Sequence, residues 1–239
     1  MIRNLLILLT ITISGLVNAQ DDKNAIVVME LFTSQGCSSC PPADELLDVI
    51  NKRYEKDNVF VLSYHVDYWN RLGWKDPFST EAFSDYQRDY AQQFKSRSIY
   101  TPQLVINGSE HFTGSNGTKA LAAIRNYLKS ETTNTIKLMN ARKKDDQIIL
   151  EYNVAGSLFN QITFALVVSE RTTEIGRGEN RNRTLKNANI VANRVVKQDV
   201  SESVTLSIPD WIGEDDELSI IAYTQQTNLQ TTGAAKINI

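Results

Sequence analysis

Cys37 and Cys40 are the only cysteines in the 239-residue chain, and Ser38 and Ser39 separate them. Sulfurs so close in sequence serve one site, and the chemistry open to them is nucleophilic, redox or metal-ligating. Thiolate rather than thiol is the reacting form, and a free cysteine, with a pKa of roughly 8.5, is mostly protonated at neutral pH. A working pair therefore needs surroundings that favour the anion. His65 and His111 would complete a four-ligand metal set, but 45 residues lie between them, whereas structural zinc sites use close-set ligand couples. No metal and no other cofactor is expected.

The segments around the cysteines can position them. Ile26 to Phe32 is a nearly continuous apolar run broken by Glu30, which suits a strand buried on both faces. Pro41-Pro42 opens a segment with Leu46, Leu47, Ile50 and Tyr54 at helical spacing, and Asp44 and Glu45 suit its first turn. Exposed N–H groups at that helix start would stabilise negative charge on Cys37. Asn58 to Val66 is a further β-branched and aromatic run, so strand, helix and strand form a right-handed crossover with parallel pairing. Phe83, Tyr86, Tyr90 and Phe94 recur at helical intervals as core residues. Asn107-Gly108 joins two short strands as a hairpin, and Thr118 to Lys129 reads as a closing helix. His65 and Asp67 end the second strand, the edge at which parallel sheets place functional groups. There His65 either lines a substrate groove or makes a local hydrogen bond. Trp69 and Trp74 read as loop packing.

Beyond Lys129 to Thr133 the pattern becomes short strands with turns between them, at 135–140, 147–154, 162–169, 189–196, 203–208, 218–223 and 234–239. Seven such strands suggest an immunoglobulin-like β-sandwich. In this half Arg171, Arg177, Arg181, Arg183, Lys186 and Arg194 are interspersed with Glu170, Glu174 and Glu179, which reads as a solvated salt-bridge surface.

The first residues carry an address. Arg3, the apolar stretch Leu5 to Val17 and the small residues at Val17-Asn18-Ala19 read as a cleaved signal peptide over residues 1–19. The stretch is too short and too interrupted for a membrane span, which needs about 20 apolar residues. The expected mature chain, Gln20 to Ile239, is delivered to the periplasm or the extracellular space. A formal net charge of −3 with interspersed signs excludes a nucleic-acid footprint. Two cysteines are also too few for a disulfide-stapled scaffold.

The order of strand, Cys37-x-x-Cys40, helix and a later Thr101-Pro102 before a strand resembles the thioredoxin superfamily. A more specific likeness rests on Glu-Leu-Phe-Thr-Ser-Gln-Gly-Cys-Ser-Ser-Cys-Pro-Pro-Ala-Asp at 30–44, His-Val-Asp-Tyr-Trp at 65–69, Leu-Gly-Trp-Lys-Asp-Pro-Phe at 72–78, Tyr-Thr-Pro-Gln at 100–103 and Gly-Glu-Asn at 178–180. These strings resemble a bacterial family of secreted proteins of unknown function with a thioredoxin-like domain. Asn70 and Asn182 depart from its usual aspartate and glycine, and asparagine tolerates left-handed backbone.

The resemblance implies an α/β thioredoxin-like domain over residues 25–130, followed by the all-β immunoglobulin-like domain over 134–239. It implies that Cys37 attacks a partner disulfide and Cys40 resolves the mixed disulfide. By the same resemblance Thr101 and a cis Pro102 hold an extended substrate strand, where the plain reading is a loop proline. Glu30 would assist proton transfer as a buried acid, where the plain reading is a solvated or ion-paired carboxylate. Gly36 replaces the usual tryptophan. Pro41-Pro42 suggests that Cys40 and Pro41 sit just outside the helix, because a residue preceding proline avoids helical dihedrals.

The function expected is thiol–disulfide exchange on protein thiols or disulfides, with the β domain selecting an envelope partner. The alternative is a non-catalytic binding module of the cell envelope in which Cys37–Cys40 is a permanent structural disulfide.

Overall fold

The computed structural model describes residues 25–157 and 159–239. The expected leader over residues 1–19 lies outside them. Strand β1 (Val27–Thr33) leads into helix α1 (Pro41–Arg53) and strand β2 (Val59–His65). A short 3-10 turn at Asn70–Leu72 precedes helix α2 (Glu81–Gln93), followed by β3 (Gln103–Ile106), β4 (Glu110–Thr113) and helix α3 (Gly117–Tyr127). Seven strands complete the chain: β5 (Asn134–Lys144), β6 (Gln147–Gly156), β7 (Gln161–Glu174), β8 (Thr184–Lys197), β9 (Ser201–Ser207), β10 (Leu218–Gln225) and β11 (Thr231–Asn238).

β1 and β2 pair in parallel, and β3 returns antiparallel along β1. The Asn107-Gly108 turn joins β3 to β4 with positive φ at both residues, 47° and 61°, the backbone that a two-residue hairpin of matching twist requires. Each strand and helix named from periodicity is present, with ends shifted by a few residues.

Their assembly departs from the expected fold class. A small α/β thioredoxin-like unit followed by an immunoglobulin-like sandwich does not form. Instead one eight-stranded mixed sheet runs in the order β11-β10-β7-β8-β2-β1-β3-β4, and β5-β6-β9 make a separate three-stranded sheet. The large sheet is continuous because β8 pairs parallel to β2 at Ser63 and Ile190, and the Ser63 hydroxyl donates to the Ala188 carbonyl at 2.9 Å.

The reason is burial on two faces. Ile162 to Val168 in β7 and all of β10 are buried, whereas a sandwich strand alternates between core and solvent. One face of β7 and β10 presents Phe164, Leu166 and Ile220 to Leu150, Tyr152 and Leu206 of the small sheet. Their other face, with Val167 and Tyr223, shares a core with Val28, Phe32 and Tyr64 of β1 and β2 and with Phe83, Tyr86 and Tyr90 of α2. On the remaining side of β1 lie Met29 and Leu31, packed with Leu47 of α1 and Ile124 of α3. β1 is therefore covered on both faces, and its alternation decides which chemistry each side chain meets.

Candidate functional site around the Cys37–Cys40 disulfide

The site is built at the end of β1, where the chain turns into α1. Cys37 and Cys40 form a disulfide with their Cα atoms 5.4 Å apart. The Cys37 N–H donates to the Ser34 carbonyl at 3.1 Å, and the Cys40 N–H donates to the Cys37 carbonyl at 3.3 Å. Cys40 is the N-cap with helical dihedrals, φ −78° and ψ −39°, and Pro41 begins the helix. The proline thus displaces Cys40 no further than the cap. Both sulfur-bearing residues are 0% exposed, while Ser38 and Ser39 between them face solvent.

The helix start contributes less to the sulfurs than expected. Pro41 and Pro42 carry no N–H, and the N–H groups of Ala43 and Asp44 both donate to the Cys40 carbonyl, at 2.8 and 3.2 Å. The first-turn donors that would face a thiolate are missing or engaged.

Beneath the motif is a set of buried charges. Thr33 Oγ1 donates to Asp44 Oδ2 at 3.2 Å, and Asp44 Oδ1 has no partner among the described residues. Burial pushes the Asp44 carboxyl up to about 7, against the lowering charge of His65. His65 Nδ1 lies 2.7 Å from Asp76 Oδ2, and its Nε2 is unpartnered among the described residues. Burial pushes the His65 imidazole down, but the Asp76 carboxylate and its hydrogen bond outweigh this, so it titrates above its ordinary range. For Asp76, burial works upward, but the imidazolium and the N–H donors of Gln35 (2.8 Å) and Phe78 (3.0 Å) hold it below the usual carboxylate range.

Above the motif, three segments close over the sulfurs. Trp69 Nε1 donates to Thr101 Oγ1 at 2.8 Å, and a Cβ placed on Gly36 would lie 3.1 Å from Trp69 Cβ. The Thr101-Pro102 bond is cis. A Cβ on Gly114 would meet Leu31 Cδ1 at 2.6 Å, Ala43 Cβ at 3.1 Å and Pro102 Cβ at 3.2 Å, so Pro102 packs at the start of α1. The third segment is the tip of the β7–β8 hairpin. Asn180 Nδ2 donates to the carbonyls of Gln35 and Cys37, both at 2.9 Å, and the Ser38 N–H donates to Glu179 Oε2 at 3.1 Å. Gln35 ties the layers together: Trp74 Nε1 donates to its Oε1 at 3.1 Å, and its Nε2 donates to Thr173 Oγ1 and Asn187 Oδ1 at 3.0 and 2.9 Å.

Two expected site residues stand elsewhere. Glu30 shares its face of β1 with Val28 and Phe32, toward α2, whereas Thr33 beside Asp44 is on the α1 face. The Glu30 carboxylate accepts from the hydroxyls of Tyr86 (2.7 Å), Tyr223 (2.8 Å) and Tyr90, inside the molecule. It therefore has no route to the resolving thiol. His65 is wholly buried against Asp76 and Phe78, so it lines no substrate groove. Of the two readings of His65, the local hydrogen bond is the one present, and neither position in a strand nor charge reveals which layer lies above a residue.

The residues that sequence reasoning passed over are Asp44, Asp76, Asn180 and Gln35. Asp44 read as an ordinary first-turn acid, although its distance of four residues from Cys40 sets it one helical turn below the sulfur. Asp76 and Asn180 fall within strings already singled out, Leu-Gly-Trp-Lys-Asp-Pro-Phe and Gly-Glu-Asn, and those strings were the available signal. Asn182 takes left-handed backbone, φ 63°, at the hairpin tip. Asn70 Oδ1 accepts from the Asp76 N–H at 3.0 Å and so braces the loop that carries this aspartate.

A family model, described as a protein of unknown function, DUF1223, matches residues 28–225. The chain belongs to that family. The match spans β1 through β10 and so includes the disulfide, the buried charges and the hairpin tip. Among solved structures, the crystal structure of protein AGR_C_4864 from Agrobacterium tumefaciens is similar, with a TM-score of 0.64 and 26% identity, covering 89% of this chain and 94% of that one. A β-glucosidase from Kluyveromyces marxianus aligns over 63% of this chain and 16% of its own, at a TM-score of 0.22 and 8% identity, too loosely to bear on the fold. No curated protein matches the chain. The family carries no assigned activity.

Proposed function

We propose that this protein is an exported thiol–disulfide oxidoreductase that works on other proteins in the periplasm or outside the cell. The observation that carries the reading is the Asp44–His65–Asp76 set beneath the disulfide. Buried charges cost several kcal/mol each unless compensated, and a structural disulfide has no use for a carboxyl poised near neutrality. A dithiol does, since each turnover moves protons on and off sulfur, and a group that titrates near the working pH is the one suited to the transfer.

In the reduced protein the Cys37 thiolate attacks a partner disulfide, forming a mixed disulfide and releasing one partner thiolate. Cys40 loses its proton to the Asp44 carboxylate and attacks Cys37 Sγ, which re-forms the intramolecular bond and frees the second partner thiolate. Two electrons pass from the dithiol to the partner, and protons follow the leaving sulfurs. The double proline and the nearby carboxylate both disfavour thiolate. The reduced pair is accordingly poorly stabilised, which suits an electron donor rather than an oxidant. The β-rich half, through the hairpin tip, selects the partner.

Complete burial of both cysteines favours a second reading, a permanent structural disulfide in a cell-envelope binding module. Insulin reduction driven by dithiothreitol separates the two. The catalytic reading expects wild type to accelerate precipitation and Cys37→Ala to match the uncatalysed control, whereas equal rates for the two proteins would leave the structural reading standing.

A further inference from the structure

The six cations Arg171, Arg177, Arg181, Arg183, Lys186 and Arg194, on β7, β8 and the hairpin tip between them, sort into two groups. Arg171 pairs with Asp216 and also donates to the Trp211 carbonyl. Lys186 pairs with Glu170 at 2.6 Å and approaches Asp48, and Arg194 stacks over the Tyr86 ring at 3.8 Å. These are absorbed by the fold. Arg177 and Arg181, both exposed, have no carboxylate within ion-pair distance among the described residues, and the Arg183 guanidinium donates to Asn180 Oδ1 at 2.9 Å rather than to a carboxylate. These three lie on the hairpin tip that covers the disulfide.

The tip rests on the loop after β2. A Cβ on Gly178 would lie 3.2 Å from Trp74 Cβ and 3.6 Å from the Leu72 carbonyl oxygen, which brings the exposed Arg71 and Lys75 to the same surface. Five cations thus lie on the tip and on the loop it touches, in a chain whose formal net charge is −3. The exposed carboxylates on the adjoining segments are Glu45 on α1, Glu174 at the end of β7 and Glu179 on the tip. Glu179 is occupied, accepting the Ser38 N–H at 3.1 Å. That N–H lies between the two cysteines and is where an arriving polypeptide would bond.

We propose that the tip of the β7–β8 hairpin, with Arg71 and Lys75 beside it, is a docking surface for an acidic, extended segment of a disulfide-bearing protein, whose carboxylate takes the Ser38 N–H that Glu179 holds at rest. The inference rests on the oxidoreductase reading and specifies its partner. Glu179 is the internal stand-in for the partner's carboxylate. Exchanging one for the other loosens the tip and opens a path to Cys37, while Arg177 and Arg181 compensate the incoming charge. Complementary charge of this kind acts on encounter rate and is screened by salt.

The test uses the mature protein and disulfide peptides matched in length, one acidic and one basic, with bis(2-hydroxyethyl) disulfide as a small neutral reference. At low ionic strength the acidic peptide is expected to be reduced about tenfold faster than the basic one, with the ratio falling toward unity as salt rises. In R177S/R181S, with a wild-type urea midpoint showing that it is folded, the acidic-to-basic ratio should drop several-fold. Glu179→Gln should raise the rate on both peptides, and Glu179→Asp should restore the resting rate. Turnover of the reference disulfide with no preference for the acidic peptide, or a preference that survives in R177S/R181S, overturns the docking surface alone. No turnover of the reference disulfide overturns the oxidoreductase reading beneath it.

Discussion

Asp44 is a carboxylic acid in a place that rewards the protonated form. Its folded-state pKa of about 7 stands above the ordinary 3.8, so between those values the folded state keeps a proton that the unfolded chain has released. Stability therefore falls as pH climbs through that window. His65, held above its ordinary 6.5 by Asp76, adds stability that is full below that value and is lost as pH rises through the higher folded one. Asp76, held below 3.8, contributes above that value and fails only in stronger acid. The three together place maximal stability in the mildly acidic range. Urea midpoints measured from about pH 4 to pH 8 should decline toward neutrality, and Asp44→Asn should flatten the part of the decline below about pH 7. The same variant should slow the resolving step of exchange by about tenfold or more. If its pH profile and exchange rate both follow wild type, Asp44 is not the proton acceptor.

At the scale of elements, the β3–β4 turn does more than reverse the chain. Asn107 Oδ1 accepts the Val28 N–H at 2.6 Å, its Nδ2 donates to the Ile26 carbonyl at 3.1 Å, and its carbonyl accepts the Thr231 N–H at 2.9 Å. A Cβ on Gly108 would fall 1.9 Å from the Leu229 carbonyl oxygen, with φ already at 61°. Gly108→Ala must therefore shift backbone, and a loss of about 1–3 kcal/mol is expected from thermal or urea unfolding. A midpoint within error of wild type would show that the β10–β11 connection does not need this close approach. The turn was legible from Asn-Gly, as were the periodic helices and strands, because those signals are local. Its docking onto Leu229 and Thr231, far along the chain, was not, since no short-range pattern encodes it.

The whole molecule repeats that division. Periodicity identified β7, β8 and β10 as strands, and the apolar run Phe164 to Val168 in β7 and the apolar Ile220, Ile221, Ala222 and Tyr223 of β10 are the signs of cover on both faces. What could not be read was the neighbour, because Ser63 and Ile190 pair across 127 positions and carry no mark of it. The site divides likewise: the Cys37-x-x-Cys40 motif and the Thr101-Pro102 dipeptide were legible, whereas the isomer of that bond and the Asp44–His65–Asp76 set depend on the folded chain. Because Phe32 and Tyr64 share their core with Val167 and Tyr223, a fragment ending at residue 130 should stay unfolded by far-UV circular dichroism and urea titration. A cooperative transition in that fragment would show that its core closes without the later strands.

That arrangement also fixes an order of events. A chain delivered from its N-terminus presents Cys37 and Cys40 long before Glu179 and Asn180 follow. In a chain exported as proposed, the two sulfurs stay open to the oxidants and isomerases of that compartment until the later residues arrive. On the export reading proposed above, the lid closes over a bond already made, and the redox state in which the molecule begins its life is set during transit.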